Sequence, residues 1–234
     1  MPLPFLTARW SNLLLLSYAV APELLRPRLP AGLALDTRDG YAFVSLVAFD
    51  FLDTHVLGVP WPGFRNFAEL NLRFYVRRGA ERGVVFVREF VPQRLVAWVA
   101  RALYNEPYVA APLRSSVART AEQIVVEHRL EWAGASHTIA AVGDLPATLP
   151  PETSTEHFFK EHQWGYGTTR AGRLLRYEVR HPFWHVYPLR SFRLDLDWGR
   201  VYGPEWAHLG QAQPCSAVLA AGSAVQVFFG GSPA

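Results

Sequence analysis

Alternate positions of one apolar segment carry polar side chains suited to orienting a substrate. In the segment 69–77, Glu69, Asn71, Arg73 and Tyr75 alternate with leucine, phenylalanine and valine. Successive side chains of a strand point to opposite faces, so these four share one face. That face points at water in an ordinary sheet. If the sheet encloses a cavity, the same face supplies a carboxylate and a guanidinium to a polar pocket.

Two histidines interrupt apolar faces of other predicted strands. His128 lies within the alternating set of segment 123–132, and His181 within that of segment 175–183. Period-two geometry predicts that both rings are buried. A buried imidazole either bonds a backbone carbonyl in the core or lines a pocket with a pKa near neutral pH. Both interpretations stay open, and we take His128 and His181 as candidate pocket residues.

Familiar catalytic and cofactor motifs are missing from the sequence. It contains no G-x-G-x-x-G or G-x-x-x-x-G-K-[ST] for nucleotide phosphates and no G-x-S-x-G nucleophile elbow. No histidine is spaced from Cys215 as in a known Cys–His catalytic motif. We expect Cys215 to be a small, buried, apolar side chain and not a nucleophile. No pair of histidines has a metal-ligand spacing, so we expect neither a metal site nor a cofactor. The catalytic residues, if there are any, are not identified by motif.

The composition bounds the class of protein. The 234 residues are 50% hydrophobic and 14% aromatic, which excludes a disordered chain, and a single cysteine excludes a disulfide scaffold. The net charge of +3 without a basic run argues against nucleic-acid binding. No apolar span reaches the roughly 18 residues of a transmembrane helix, and the N-terminal leucines make a poor signal peptide. We therefore expect a cytoplasmic protein.

Strand-like segments dominate the elements that must position these residues. Asp39-Gly40 predicts a tight hairpin turn between segments 33–36 and 41–51, and a second hairpin is predicted across 79–83. Helices are predicted at 92–105 and, from a capping box, at 154–164. The proline-rich segment 144–151 is a candidate boundary, but the remainder is small for an independent core. We expect one domain spanning 1–234, mainly β (α+β) with two or three flanking helices, whose large antiparallel sheet closes into a barrel or splits into a sandwich.

Several blocks in order along the chain resemble a known family. They are Arg9-Trp10, Pro22-Glu23-Leu24-Leu25, Asp39-Gly40-Tyr41, Phe67-Ala68-Glu69-Leu70-Asn71-Leu72-Arg73 and His181-Pro182-Phe183-Trp184. This order is similar to that of the bacterial YqjF-like family of unknown function, in the acetoacetate decarboxylase-like superfamily. The resemblance covers about residues 5–229. It implies a single antiparallel sheet curled into a cone-like barrel around an internal cavity.

The resemblance also implies a catalytic lysine that this chain does not have at the matching place. In the decarboxylase, a lysine beside a second lysine forms a Schiff base with the keto acid. Here Tyr104-Asn105-Glu106-Pro107 is followed by Tyr108-Val109, and the chain's one lysine, Lys160, falls on the outer side of its predicted helix. We therefore expect no Schiff-base decarboxylation. Glu69 looks similar to the decarboxylase's pocket glutamate, which places Glu69, Arg73, Tyr104 and Tyr108 around the expected cavity.

Three functions are compatible with such a cavity. The first is a carrier or sensor of a small, partly apolar ligand that carries a carboxylate. The second is an acid–base enzyme acting on a carbonyl compound, with Glu69, His128 or His181 as base and Tyr108 as acid. The third is a structural or interaction protein that keeps the fold alone, since one fold hosts many activities. The expected partner is a small molecule, not a nucleic acid or a membrane, and a homo-oligomer is compatible with the sequence.

Overall fold

The computed structural model describes residues 3–151 and 162–230, apart from the side chains of Leu103 and Tyr104. In this part of the chain the strands are β1 (Leu6–Val20), β2 (Ala34–Leu35), β3 (Ala42–Val56), β4 (Phe67–Arg78), β5 (Glu81–Val91), β6 (Tyr108–Ala110), β7 (Leu113–Arg119), β8 (Gln123–Trp132), β9 (Ala135–Asp144), β10 (Trp164–Thr168), β11 (Leu174–Arg180), β12 (Val186–Tyr187), β13 (Leu189–Asp195) and β14 (Ser216–Phe229). The helices are α1 (Pro22–Leu25), α2 (Arg94–Tyr104) and α3 (Trp198–Tyr202), with 3₁₀ turns at Arg26–Arg28 and Pro204–Gln211.

Seven strands of the larger sheet are paired in a ring. The order is β4, β3, β1, β14, β11, β10 and β5, and β5 pairs again with β4. Six of these pairings are antiparallel, whereas β5 and β10 run parallel. The short strand β6 is also parallel to β5. The predicted mainly β and largely antiparallel architecture is thus confirmed, with β5 making the parallel pairings.

The smaller sheet, in the order β13, β9, β8 and β7, covers one face of the larger one. On β1, Leu14 and Leu16 belong to the core that includes Ile124 and Ile139 of the smaller sheet. Leu13 and the intervening Leu15 belong to a second apolar cluster on the opposite face. The run of leucines in β1 is therefore explained, because both faces of this strand are buried and alternation is lost.

The turns follow their sequence signals, but one pairing does not. Asp39 (φ 53°) and Gly40 (φ 83°) form a two-residue turn closed by Arg38 and Tyr41, as predicted. Positive φ at both central residues is what Asp-Gly supplies at low cost. The predicted hairpin partner is wrong, because β2 pairs with β4 and not with β3.

Helix α2 confirms the prediction at 92–105, and it lies against the ring. It contains no proline, glycine or acidic residue, and it ends at Asn105, whose φ of 51° is left-handed. Ala97 on its inner side is fully buried, whereas Trp98 on its outer side is 61% exposed. The other predicted helix, at 154–164, lies outside the described residues except for its end, where β10 begins at Trp164.

Candidate functional site

A cavity of about 550 Å³ occupies the interior of the strand ring. Each of the seven ring strands contributes lining residues, and α2 adds Leu95, Val96, Val99 and Ala100. The walls are mainly apolar and aromatic, among them Trp10, Phe49, Phe51, Phe67, Phe86, Trp164, Val179 and Val227. Such a volume, lined by apolar side chains with a few polar groups, is typical of a small-molecule site.

The polar end of the cavity is built by strand register. Asn71 on β4 is paired with Glu89 on β5, and Glu89 is paired with Tyr108 on β6, so their side chains form a row. Glu69 lies two residues before Asn71, on the same face of β4, and Glu106 lies two residues before Tyr108 in the connection between α2 and β6. The three carboxyl groups line the cavity and are at most 4% exposed.

Two donors orient the Glu69 carboxylate. The side-chain amide of Asn71 donates to Oε1 over 2.9 Å, and the hydroxyl of Tyr108 donates to Oε2 over 2.9 Å. The positive charge of Arg73 also favours the ionised form of Glu69. Burial opposes these three effects and outweighs them, raising the pKa of Glu69 from 4.5 to about 7.

The pKa values of the other two carboxyl groups are raised as well. Burial raises the pKa of Glu106 to about 8, although a hydrogen bond from the Tyr177 hydroxyl lowers it. Burial also raises the pKa of Glu89 well above 4.5, and repulsion by Glu69 and Glu106 adds to the rise. Between the pKa of Glu69 and that of Glu106 this end of the cavity therefore holds both a carboxylate and a carboxylic acid, which is the condition for paired acid–base chemistry.

Several buried oxygens of the residues that line this end have no hydrogen-bond partner in the described part of the chain. They are Oε1 of Glu89, Oε1 of Glu106 and Oδ1 of Asn71. Buried polar atoms are normally hydrogen-bonded, because leaving one unpaired costs about 1–3 kcal/mol. These atoms are consequently positions at which a bound molecule gains hydrogen bonds.

Tyr177 reaches Glu106 because the residue paired with it is a glycine. Gly165 on β10 is opposite Tyr177 on β11, and a Cβ at Gly165 would lie 2.1 Å from Cζ of the ring. The ring therefore lies across the bare backbone of Gly165, in space that any side chain would fill. This close approach keeps the Tyr177 hydroxyl among the lining groups.

His162 adds a neutral imidazole to the lining. Its Nε2 is 3.2 Å from Oδ2 of Asp36, to which Nε of Arg82 also donates over 2.8 Å. Burial lowers the pKa of His162 to about 4, and it outweighs the opposing effect of the Asp36 carboxylate. The ring is therefore uncharged at neutral pH.

The residues singled out from the sequence are only partly brought together. Glu69, Arg73, Tyr108 and His181 line the cavity. Tyr104 is the last residue of α2, and its side chain lies outside the described part of the structure. Lys160 lies in the segment 152–161, also outside the described residues.

His128 is buried as predicted, but it does not line the cavity. It is on β8 of the smaller sheet, close to Asp50, whose carboxylate accepts from Asn12 over 2.9 Å and Ser115 over 3.0 Å. The period-two argument identified a buried face correctly, yet that face contacts the larger sheet. His128 is thus a residue of the interface between the sheets.

The expectation for Cys215 is wrong, and His181 is less buried than expected from its apolar face. His181 is only half-buried, because β11 ends at Arg180 and the alternation does not extend to the histidine. Its ring stacks on that of Trp184 with centroids 4.5 Å apart. Cys215 is exposed, and its Sγ lies 3.2 Å from the backbone oxygen of Ser17.

Sequence reasoning missed two of the three carboxyl groups. Glu89 interrupts an apolar strand, and this signal indicated a cross-strand partner without indicating which one. Glu106 lies between a helix and Pro107, where no periodicity gives the direction of a side chain. Among the described residues, no three His, Cys, Asp or Glu side chains are arranged to hold a metal ion. Across the same residues, none of the helices has the length and apolarity needed to cross a membrane.

This chain is similar in sequence to known proteins along most of its length. The family model DUF2071, described as an uncharacterized conserved protein, matches residues 7–224. The uncharacterized protein YqjF of Bacillus subtilis (strain 168) is 28% identical over 206 residues, which are 88% of this chain and 83% of that protein.

Solved structures are similar in fold at low sequence identity. An acetoacetate decarboxylase-like enzyme from Sphingomonas wittichii RW1 has a TM-score of 0.68 at 14% identity, covering 97% of this chain and 92% of that one. Acetoacetate decarboxylase from Legionella pneumophila has a TM-score of 0.63 at 14% identity, covering 97% and 87%. The enduracididine biosynthesis enzyme MppR complexed with pyruvate has a TM-score of 0.63 at 13% identity, covering 100% and 90%.

Proposed function

Because this chain belongs to the DUF2071 family and has an acetoacetate decarboxylase-like fold, we propose that its cavity transfers protons to and from a small carbonyl compound. The observation that carries the proposal is the set of three buried carboxyl groups at one end of an otherwise apolar cavity. Perturbed pKa values on groups within a cavity mark functional sites more often than structural ones.

In the proposed reaction, Glu69 is the base. Its carboxylate, held by Asn71 and Tyr108, takes a proton from the carbon next to the carbonyl group. The C–H bond breaks, its electron pair enters the new C=C bond, and the carbonyl oxygen gains negative charge. Glu106 in its acid form donates a hydrogen bond to that oxygen. The proton on Glu69 exchanges with water, and delivery of the new proton to the same carbon breaks the C=C bond, restores the carbonyl group and completes an exchange.

This route uses carboxyl groups and not a lysine amine. Tyr108 and Val109 stand where the resemblance calls for paired lysines. Tyr108 instead donates to Glu69, and burial raises its pKa well above 10, so the phenol keeps its proton. A general acid–base contribution is worth about 10²–10⁴-fold, which sets the scale of the expected acceleration.

The second candidate function is that of a carrier or sensor of the same kind of molecule. The observation that favours it is the mainly apolar lining, which suits binding alone. The two candidates differ in turnover, because a carrier binds the ligand without exchanging its protons.

Deuterium exchange into 4-phenylbutan-2-one tests proton transfer directly. The ketone is incubated with the protein in D₂O, and loss of the α-proton signals is followed by NMR. We expect exchange at least about 100-fold above the buffer rate, within the range for general acid–base catalysis. The rate should rise with pH through the pKa of Glu69, about 7, and fall above that of Glu106, about 8.

The matched variants are Glu69→Gln, which removes the base, and Glu122→Gln, which removes an exposed carboxylate far from the cavity. Glu69→Gln should return exchange to the buffer rate, and Glu122→Gln should leave it unchanged. Exchange that survives Glu69→Gln contradicts the assignment of the base. Saturable binding of the ketone without any exchange favours the carrier.

A further inference from the structure

The charges around the cavity bear on the class of substrate. Resting on the proposed function, we propose that the carbonyl substrate is uncharged: a ketone or aldehyde with an apolar body that carries neither a carboxylate nor an ammonium group. This departs from the carboxylate-bearing ligand expected from the sequence.

A carboxylate would find no available positive charge. Among the described lining residues, Arg73 is the one arginine or lysine. Its charge already acts on Glu69 and Glu89, whose pKa values it lowers. His162 is neutral because burial holds its pKa at about 4. A ligand carboxylate would therefore have to share this one guanidinium with the Glu69 carboxylate, and like charges at a buried site disfavour one another.

An ammonium group would meet the opposite difficulty. The Glu69 carboxylate already accepts from Asn71 and Tyr108. Burial keeps the proton on Glu106 at neutral pH by raising its pKa to about 8, and it raises the pKa of Glu89 well above 4.5. An ammonium group would bind there as an ion pair only if Glu89 or Glu106 lost its proton. The free energy needed to remove that proton would weaken the binding. The walls offer no other compensation, because they are mainly apolar and transfer of a charge from water is unfavourable without a partner.

A neutral carbonyl compound matches both the hydrogen-bond donors and the apolar walls of the cavity. An acid proton on Glu89 or Glu106, whose Oε1 atoms are buried and lack a partner in the described structure, can be donated to a carbonyl oxygen. The apolar body then lies against the aromatic walls. The titratable and charged groups that face this end are Glu69 and Arg73 from β4, Glu89 from β5, Glu106 and Tyr108 beside and on β6, Tyr177 from β11 and His162 before β10.

Three ligands with the same phenylbutyl skeleton separate these cases by charge. They are 4-phenylbutan-2-one, 2-oxo-4-phenylbutanoate and 4-phenylbutan-2-amine, and binding is measured by calorimetry between pH 5.5 and 8.5. At pH 7 we expect the ketone to bind at least ten-fold more tightly than either charged ligand. Affinity for the oxo acid should rise as the pH falls, and affinity for the amine should rise as the pH rises. Affinity for the ketone should be unchanged from pH 5.5 to 7.

Two variants test whether the carboxyl groups of the cavity cause the preference among the three ligands. The side chain in Glu106→Gln stays neutral at every pH, so the preference for the ketone over the oxo acid should grow less between pH 7 and 8.5 than it does in the wild type, in which Glu106 ionises with a pKa of about 8. Glu122→Gln should change none of the three affinities. Circular dichroism checks that each variant is folded.

The binding experiment tests the substrate class, and the proton-exchange experiment tests the proposed function, so each can fail without the other. Tighter binding of the oxo acid or the amine at pH 7, or no binding of the ketone, overturns the inference even if proton exchange is observed. A ketone preference without exchange supports the inference and contradicts the proposed function.

Discussion

At the scale of single residues, the buried carboxyl groups link the stability of the fold to pH. Folding raises the pKa of Glu69 to about 7 and that of Glu106 to about 8, from 4.5. The native state therefore binds protons more tightly than the unfolded chain, and the stability gained is complete below about pH 4.5. It is lost as the pH rises through 7 and 8. This is opposite in sign to the usual acid destabilisation by paired carboxylates.

We expect the contribution of these groups to the free energy of unfolding to fall by a few kcal/mol between pH 5 and 8, since each pKa unit is worth about 1.4 kcal/mol. In Glu106→Gln this fall should be smaller, because one of the groups no longer titrates. Urea denaturation at several pH values measures both. Glu122→Gln is the control, and a pH dependence identical in wild type and Glu106→Gln contradicts the burial argument.

A second prediction at the scale of single residues is that this protein forms no Schiff base with a keto acid. Tyr108 and Val109 occupy the position at which the resemblance calls for a Schiff-base nucleophile, and Lys160 is the one lysine in the sequence. Incubation with acetoacetate and borohydride should therefore give no trapped adduct by mass spectrometry. A stoichiometric adduct that disappears in Lys160→Ala, together with release of carbon dioxide, would move the active site to that residue.

At the scale of elements, the end of α2 positions the acid that follows it. Asn105 adopts a left-handed φ of 51°, and its side-chain amide donates to the backbone oxygen of Thr168 over 2.6 Å. The bond ties the helix end to β10, immediately before Glu106. Asparagine and glycine tolerate this conformation, whereas alanine is strained in it.

We therefore expect Asn105→Ala to destabilise the protein by about 1–2 kcal/mol and Asn105→Gly by less, because glycine loses the hydrogen bond without backbone strain. Thermal unfolding gives the order wild type, glycine, alanine. If the glycine variant is the least stable of the three, the left-handed conformation is not what asparagine provides here.

At the scale of the whole molecule, the two sheets share one apolar core. Its members come from both sides of the segment 144–151, including Ile139 and Ala141 before it and Tyr166, Trp198 and Leu219 after it. A core common to both parts predicts that they unfold together. Tryptophan fluorescence and far-ultraviolet circular dichroism should report the same urea midpoint. Two separated transitions would indicate a domain boundary at 144–151.

Local periodicity accounts for what the sequence determined by itself. Alternation placed Glu69 and Arg73 on one face, the helical repeat located α2, and Asp39-Gly40 located a turn, since each signal arises within a few residues of chain. The blocks in order along the chain identified the family and the decarboxylase-like fold, and both are confirmed.

Contacts between distant segments were decided only by the tertiary structure. Alternation distinguishes two faces of a strand, but it does not say whether the polar face meets water or a cavity, and closure of the ring decided this for Glu69. The same alternation predicted that His128 is buried, but it did not say whether the ring lines the cavity or, as the structure shows, lies between the two sheets. Register between β4, β5 and β6 brought Glu89 and Glu106 to Glu69. Register depends on the packing of the whole sheet. The cluster of Glu69, Glu89 and Glu106 is therefore visible in the folded protein but corresponds to no sequence motif.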